Sequence, residues 1–160
     1  MKYWLIKSEP DVFGIDEMEK AGTEPWDGIR NYQARNFMRD EMAIGDLALF
    51  YHSNTKPPGV AGVVKVASRP YPDPTQFDKK AKYYDEKSSE DKPRWLLVDF
   101  EFVCRMPHYV PLDEMKAEGR LEGMLTLRKG NRLSITPVEK EHFAVVCELA
   151  GLDDLGALEG

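Results

Sequence analysis

Between Trp95 and Arg105 the chain alternates, with Leu96, Val98, Phe100 and Phe102 on one side and Asp99 and Glu101 on the other. A period of two belongs to a strand with one buried and one wetted face, so this segment commits the chain to a sheet with a core against it. Other strands are expected at Lys2–Lys7, which Ser8-Glu9-Pro10-Asp11 breaks, and at Asp46–Tyr51 and Val60–Val66. The last two flank the turn-forming run His52–Gly59 and pair as neighbours, while Gly59-Val60-Ala61-Gly62 reads as a turn entering a strand with close backbone packing.

Helices are expected at Ile15–Ala21, closed by Gly22, and at Asn31–Met42, where Asn31 fits the N-cap and Ala34, Phe37, Met38 and Met42 share a face. Pro111–Glu118 predicts a short helix ended by Gly119. Met124–Leu127 and Leu133–Ile135 predict short strands, and Thr136-Pro137-Val138-Glu139 reads as a capping box opening a last helix that runs to about Ala150. Arg69–Pro93, rich in Pro, Tyr, Lys and Asp, reads as a long surface excursion. This order lacks the regular alternation of a doubly wound fold. It predicts an α+β class: a mixed sheet curled into a small open barrel with helices packed around it.

A chain of 160 residues suits one domain, expected over 1–150, with 151–160 as a frayed tail. Cys104 and Cys147 lack metal or redox spacing and need not be bonded. The Tyr3–Ile6 run is too short for a signal peptide and no run approaches membrane-spanning length, so a soluble protein is expected, cytoplasmic in a bacterium or nuclear in a eukaryote. A net charge of −6 and a pI near 5.2 argue against coating duplex DNA through charge alone. Basic stretches (Arg30, Arg35, Arg39, Lys56 and Lys65; Arg128, Lys129 and Arg132) still permit a small nucleic-acid footprint.

Trp26-Asp27-Gly28-Ile29-Arg30-Asn31-Tyr32-Gln33-Ala34-Arg35-Asn36 crowds an aromatic ring, amides and guanidinium groups together. That mixture suits a flat polar ligand such as a nucleobase: Trp26 offers a stacking face, Asn31 and Gln33 edge hydrogen bonds, and Arg30 or Arg35 a phosphate partner. The plainer alternatives are a core tryptophan beside a turn, an Asn31 that only caps its helix, and solvated Gln33 and Arg35.

With Ile6-Lys7-Ser8-Glu9-Pro10, Phe50-Tyr51-His52-Ser53-Asn54 and Arg132-Leu133-Ser134-Ile135, this stretch resembles, in order and spacing, the signature blocks of the EVE domain family. The resemblance runs from Met1 to about Leu149. It implies a PUA-like fold, related to the YTH readers of methylated adenine and to ASCH domains, and a pocket for a flipped or unpaired modified base, methylated or oxidised, in DNA or RNA. Trp26 would then be the base-stacking wall, with Asp27 beside it and Lys7, Ser8 and Glu9 at the pocket mouth. Asn31, Gln33, Ser53 and Asn54 would line or brace the pocket, and His52 lies beside it. A second aromatic wall would come from Phe77, Tyr83 or Tyr84, and Arg30, Arg35 and Arg132 would face phosphate. Glu9 stands where YTH readers have Asn, and a carboxylate accepts but cannot donate.

No cofactor or metal is implied, since the three histidines are far apart in sequence and His108 and His142 read as surface residues. The partner expected is nucleic acid carrying a modified base, with no membrane. Rival classes are a protein-interaction scaffold with a vestigial pocket and a nucleotide-processing enzyme using Glu9 as general base with Lys7 and His52.

Overall fold

Tyr3, Trp4, Leu5 and Ile6 are all buried, so the first strand needs cover on both faces and belongs inside a sheet. In the computed structural model, which describes residues 1–152, 155 and 158, this strand is β1 (Tyr3–Ser8). It is followed by α1 (Pro10–Phe13), α2 (Ile15–Ala21), β2 (Thr23–Pro25), α3 (Tyr32–Asn36), β3 (Leu47–His52) and β4 (Gly59–Val66). Then come β5 (Tyr71–Pro72), β6 (Leu96–Leu97), β7 (Asp99–Pro111), α4 (Leu112–Ala117), β8 (Ile135–Val138) and α5 (Lys140–Leu149).

Six strands form one mixed sheet in the order β2-β7-β4-β3-β1-β8, and β5 and β6 form a separate ribbon. β1 runs parallel to β3, whereas the pairs β1–β8, β3–β4, β4–β7 and β2–β7 are antiparallel. Register breaks at Phe50/Tyr51, Val60/Gly62 and Val63/Val64 add the local twist that curls the sheet into an open half-barrel. The mixed α+β architecture expected from the sequence is therefore present.

Two cores lie on opposite faces. Tyr3, Leu5, Leu47 and Leu49 pack with Met115 of α4 and Phe143 and Val146 of α5; Trp4, Ile6, Ala48 and Phe50 pack with Met18 of α2 and Ala34 of α3. Burial on both faces explains why β1, β3 and β4 read as continuous apolar runs. Buried Asp46 ties their ends, accepting from Lys2 N–H (3.1 Å), the Trp4 indole (3.1 Å) and Ala43 N–H (3.0 Å). Cys104 and Cys147 are free thiols. No helix among the described residues is long and apolar enough to cross a membrane.

Several boundaries differ from expectation. The Trp95–Arg105 strand is interrupted at Val98, whose carbonyl accepts Trp26 N–H (2.9 Å); Leu97, on the polar side of the alternation, is buried in the ribbon segment. Asn31–Met42 is not one regular helix, because after α3 the chain widens into a π-turn over Phe37–Glu41, closed by Met42 N–H on the Phe37 carbonyl. Leu125–Leu127 is a 3₁₀ turn. Thr136, Pro137 and Val138 are not a capping box but pair with Leu5, Trp4 and Tyr3. β8 is an edge strand, where proline is tolerated, and α5 begins at Lys140. His142 is buried rather than exposed. Of the tail expected to fray, Leu152, Leu155 and Leu158 are partly buried against the core; residues 153, 154, 156, 157, 159 and 160 lie outside the described residues.

The close packing read at Gly59–Gly62 is present. A Cβ on Gly59 would collide with the Val110 carbonyl, and one on Gly62 would sit 2.6 Å from the Cys104 carbonyl and 2.5 Å from Ile15 Cδ1. Gly62→Ala is expected to destabilise the fold by about 1–3 kcal/mol through overpacking, read as a lower denaturant midpoint.

Candidate nucleic-acid interface

β1 and β3 end side by side, Ser8 opposite His52, and Ser53 N–H continues the ladder to the Ser8 carbonyl (2.9 Å). The Ser8 hydroxyl donates to the Phe13 carbonyl (2.5 Å), folding α1 back over the strand end. Two loops thus leave the sheet together. They form one side of a cleft of about 1130 Å³, whose remaining walls are Glu24–Arg30, Lys82 with Tyr83, and Asn131, Arg132 and Ser134. Asn54 holds a left-handed backbone (φ 53°) there, a conformation asparagine tolerates.

The Glu24–Arg30 wall is set by a buried carboxylate. Asp73, with no exposed surface, accepts from Gly28 N–H (2.8 Å), Arg30 (3.0 Å), Thr75 N–H (2.8 Å) and the Thr75 hydroxyl (2.6 Å). Burial pushes its carboxyl upward, but the hydrogen bonds from Thr75, Gly28 and Arg30 outweigh it and hold the group below the usual carboxylate range. Arg30 also donates to the Ile29 carbonyl (2.9 Å), to Thr75 (3.1 Å) and twice to the Tyr83 carbonyl (3.0 and 2.6 Å). A guanidinium has five N–H donors, and all are engaged here. Gln76, also fully buried, bridges the carbonyls of Asp73 and Trp95 (both 2.7 Å) and accepts from Trp95 N–H (3.0 Å) and the Ser88 hydroxyl (2.6 Å). The excursion Arg69–Pro93 runs over the surface as expected, anchored through its two buried residues, Asp73 and Gln76.

This anchoring delivers Tyr83. Its ring lies against Gly28, where a Cβ would come within 2.6 Å of Cε2 and where φ is +82°; both facts require glycine. The ring is 37% exposed and sits beside the Arg30 and Lys82 cations, each 5.5 Å from its centroid. Trp26 is 8% exposed and meets Phe13, Phe50 and Phe100 nearly perpendicularly at 5.6–6.1 Å. It is a core residue whose remaining open surface faces the cleft.

Lys7, Ser8, Glu9, Trp26, Asp27, Ser53, Asn54, Arg30, Arg132 and Tyr83 therefore gather as the sequence suggested. Burial depresses the Lys7 ammonium. Burial, then the negative Asp73, raises the Asp27 carboxyl against the opposing Arg30. Other expected members lie elsewhere. Asn31 caps α3, accepting Ala34 N–H (3.0 Å), and Gln33 is solvent-exposed on that helix. Arg35 is taken by Asn36 and the Arg94 carbonyl (2.9 Å), over the Tyr32 ring. Phe77 and Tyr84 are outside the cleft lining. Arg30 thus braces the cleft wall with all five donors engaged, Arg35 lies outside the cleft lining, and Arg132 stands at the rim. His52 is half-buried, its Nε2 accepting Ile15 N–H (3.1 Å) at the start of α2. Sequence reasoning missed Asp73, Glu24, Lys82 and Asn131; for Asp73 the available signal was Asp-Pro-Thr, a capping residue before a helix-starting proline.

The EVE domain family profile matches residues 2–149. This chain belongs to the EVE domain family. Thymocyte nuclear protein 1 of Homo sapiens is 42% identical over 92% of this EVE domain chain and 73% of its own length. A solved protein of Pseudomonas syringae is 43% identical with a TM-score of 0.88, covering 92% of this chain and 99% of that one. Human THYN1, solved in complex with 5-methylcytosine-containing DNA, is 42% identical with a TM-score of 0.88, covering 96% of this chain and 100% of that one.

Two outcomes are expected of this EVE domain. Asp73→Asn leaves Arg30 without its counter-charge and should cost about 3–5 kcal/mol in denaturant unfolding, with faster proteolysis around Tyr83. Burial lowers the His52 imidazole, with Arg105 adding to it against Asp16 and Glu17, so the unfolded chain binds the proton first. Stability should rise with pH through the window at and below about 6.5, and His52→Gln should flatten that slope.

Proposed function

We propose that this EVE domain is a non-catalytic binder of a modified base, a methylated cytosine in DNA held unpaired or flipped. The observation that carries the reading is the cleft that places Tyr83, Trp26 and free polar groups together, in a chain 42% identical to human THYN1, itself solved with 5-methylcytosine-containing DNA. Tyr83 supplies an exposed ring for stacking, Trp26 the floor, and Lys82 and Arg132 cations for the backbone at the rim.

The energetics favour an unpaired target. Stacking contributes about 1–3 kcal/mol and a buried methyl about 0.8 kcal/mol, against a few kcal/mol to extrude a base from a duplex. The enzyme reading is weakened by His52, which is outside the cleft lining with its Nε2 occupied by Ile15 N–H. Of the trio, Glu9 and Lys7 line the cleft and His52 does not.

The test is a thermal-shift series with short single-stranded oligonucleotides carrying cytosine or its 5-methyl form. A rise for the methylated strand alone is expected, and Tyr83→Ala should weaken binding by about 1–3 kcal/mol with the fold intact. No shift with any modified base, or turnover of the nucleoside, sinks the proposal.

A further inference from the structure

Along the Glu24–Arg30 wall most hydrogen-bonding groups are already occupied. Trp26 N–H is held by Val98, Asp27 N–H by the Pro25 carbonyl (3.1 Å), Gly28 N–H by Asp73, and Arg30 through all five donors. Three side-chain polar groups stand apart among the described residues, the Glu24 carboxylate being one of them. The Asp27 carboxylate forms no hydrogen bond or ion pair among the described residues. The Trp26 indole N–H is likewise unpartnered there, although the residue is more than nine-tenths buried. No fully buried side-chain nitrogen or oxygen lacks a partner, so this N–H reaches solvent, and the opening that Trp26 lines is the cleft.

Resting on the reading above, we propose that Trp26 and Asp27 are specificity-determining residues. The indole N–H donates to a ring nitrogen of the base, and the Asp27 carboxylate accepts from its exocyclic amino group. An acceptor beside an amino donor is the edge of cytosine. Thymine carries the same C5 methyl but reverses both groups, presenting N3–H to the indole N–H and O4 to the carboxylate. Two donors would face each other, as would two acceptors, and unpaired polar groups in a partly desolvated site are costly. The pair therefore selects 5-methylcytosine over thymine by the edge, while the methyl itself is read by burial. The N–H bonds of Trp26, Asp27 and Gly28 hold the main chain that presents this donor–acceptor pair.

The test compares single-stranded oligonucleotides of one sequence carrying cytosine, 5-methylcytosine or thymine at the central position. Wild type is expected to prefer 5-methylcytosine to thymine about five- to hundredfold. Asp27→Asn, whose amide can donate to O4, should reduce that preference about tenfold, partly by gaining thymine affinity. Asp27→Ala should lose 5-methylcytosine affinity without that gain, and melting of both variants confirms the fold. An unchanged preference in Asp27→Asn overturns this inference while wild-type methyl selectivity keeps the parent reading standing. Failure of wild type to distinguish 5-methylcytosine from cytosine overturns both.

Discussion

The fully buried Asp73 carboxylate organises the cleft. It receives four hydrogen bonds from three residues, two of them more than forty positions away in the chain. A charge in that position is tolerated because Arg30 matches it and the remaining lone pairs meet N–H and O–H donors. Arg30 in turn grips the Tyr83 carbonyl. Thr75, Gly28, Arg30 and Tyr83 are therefore tied into one hydrogen-bonded unit, which holds an exposed loop against the cleft wall.

Gln76 does for the loop interior what Asp73 does for its junction with the site. Both amide hydrogens and the amide oxygen find backbone or hydroxyl partners, so a segment with little regular structure is satisfied internally. The asymmetry between the arginines follows from this arrangement. Arg30 and Arg35 lie in the most informative stretch of sequence, yet both are absorbed into bracing, whereas Arg132 reaches the rim from the far end of the chain.

Legibility in the sequence tracked the range of the interactions. α2 and its closing Gly22, the Asn31 cap, and the paired strands β3 and β4 are set by neighbours in the chain, and local pattern revealed them. Thr136-Pro137-Val138 satisfies the local rules for a helix start, but β1 offers an open edge and these residues take it. The break at Val98 is likewise invisible in an alternating run, because it depends on Trp26 claiming a carbonyl from a distant strand. At the site, side chains on the signature blocks were legible as a group, with the aromatic wall narrowed to three tyrosine and phenylalanine positions. Which of them is at the cleft depends on an ion pair spanning Arg30 and Asp73, and no period or motif carries that.

The cleft draws its lining from Lys7 near one end of the chain to Ser134 near the other. During synthesis it cannot exist until nearly the whole domain has left the ribosome, since its last wall follows the long strand β7 and immediately precedes the edge strand β8. The cleft therefore closes in a single late step, and a nascent or nicked chain lacking its final quarter carries Trp26 without the cleft around it.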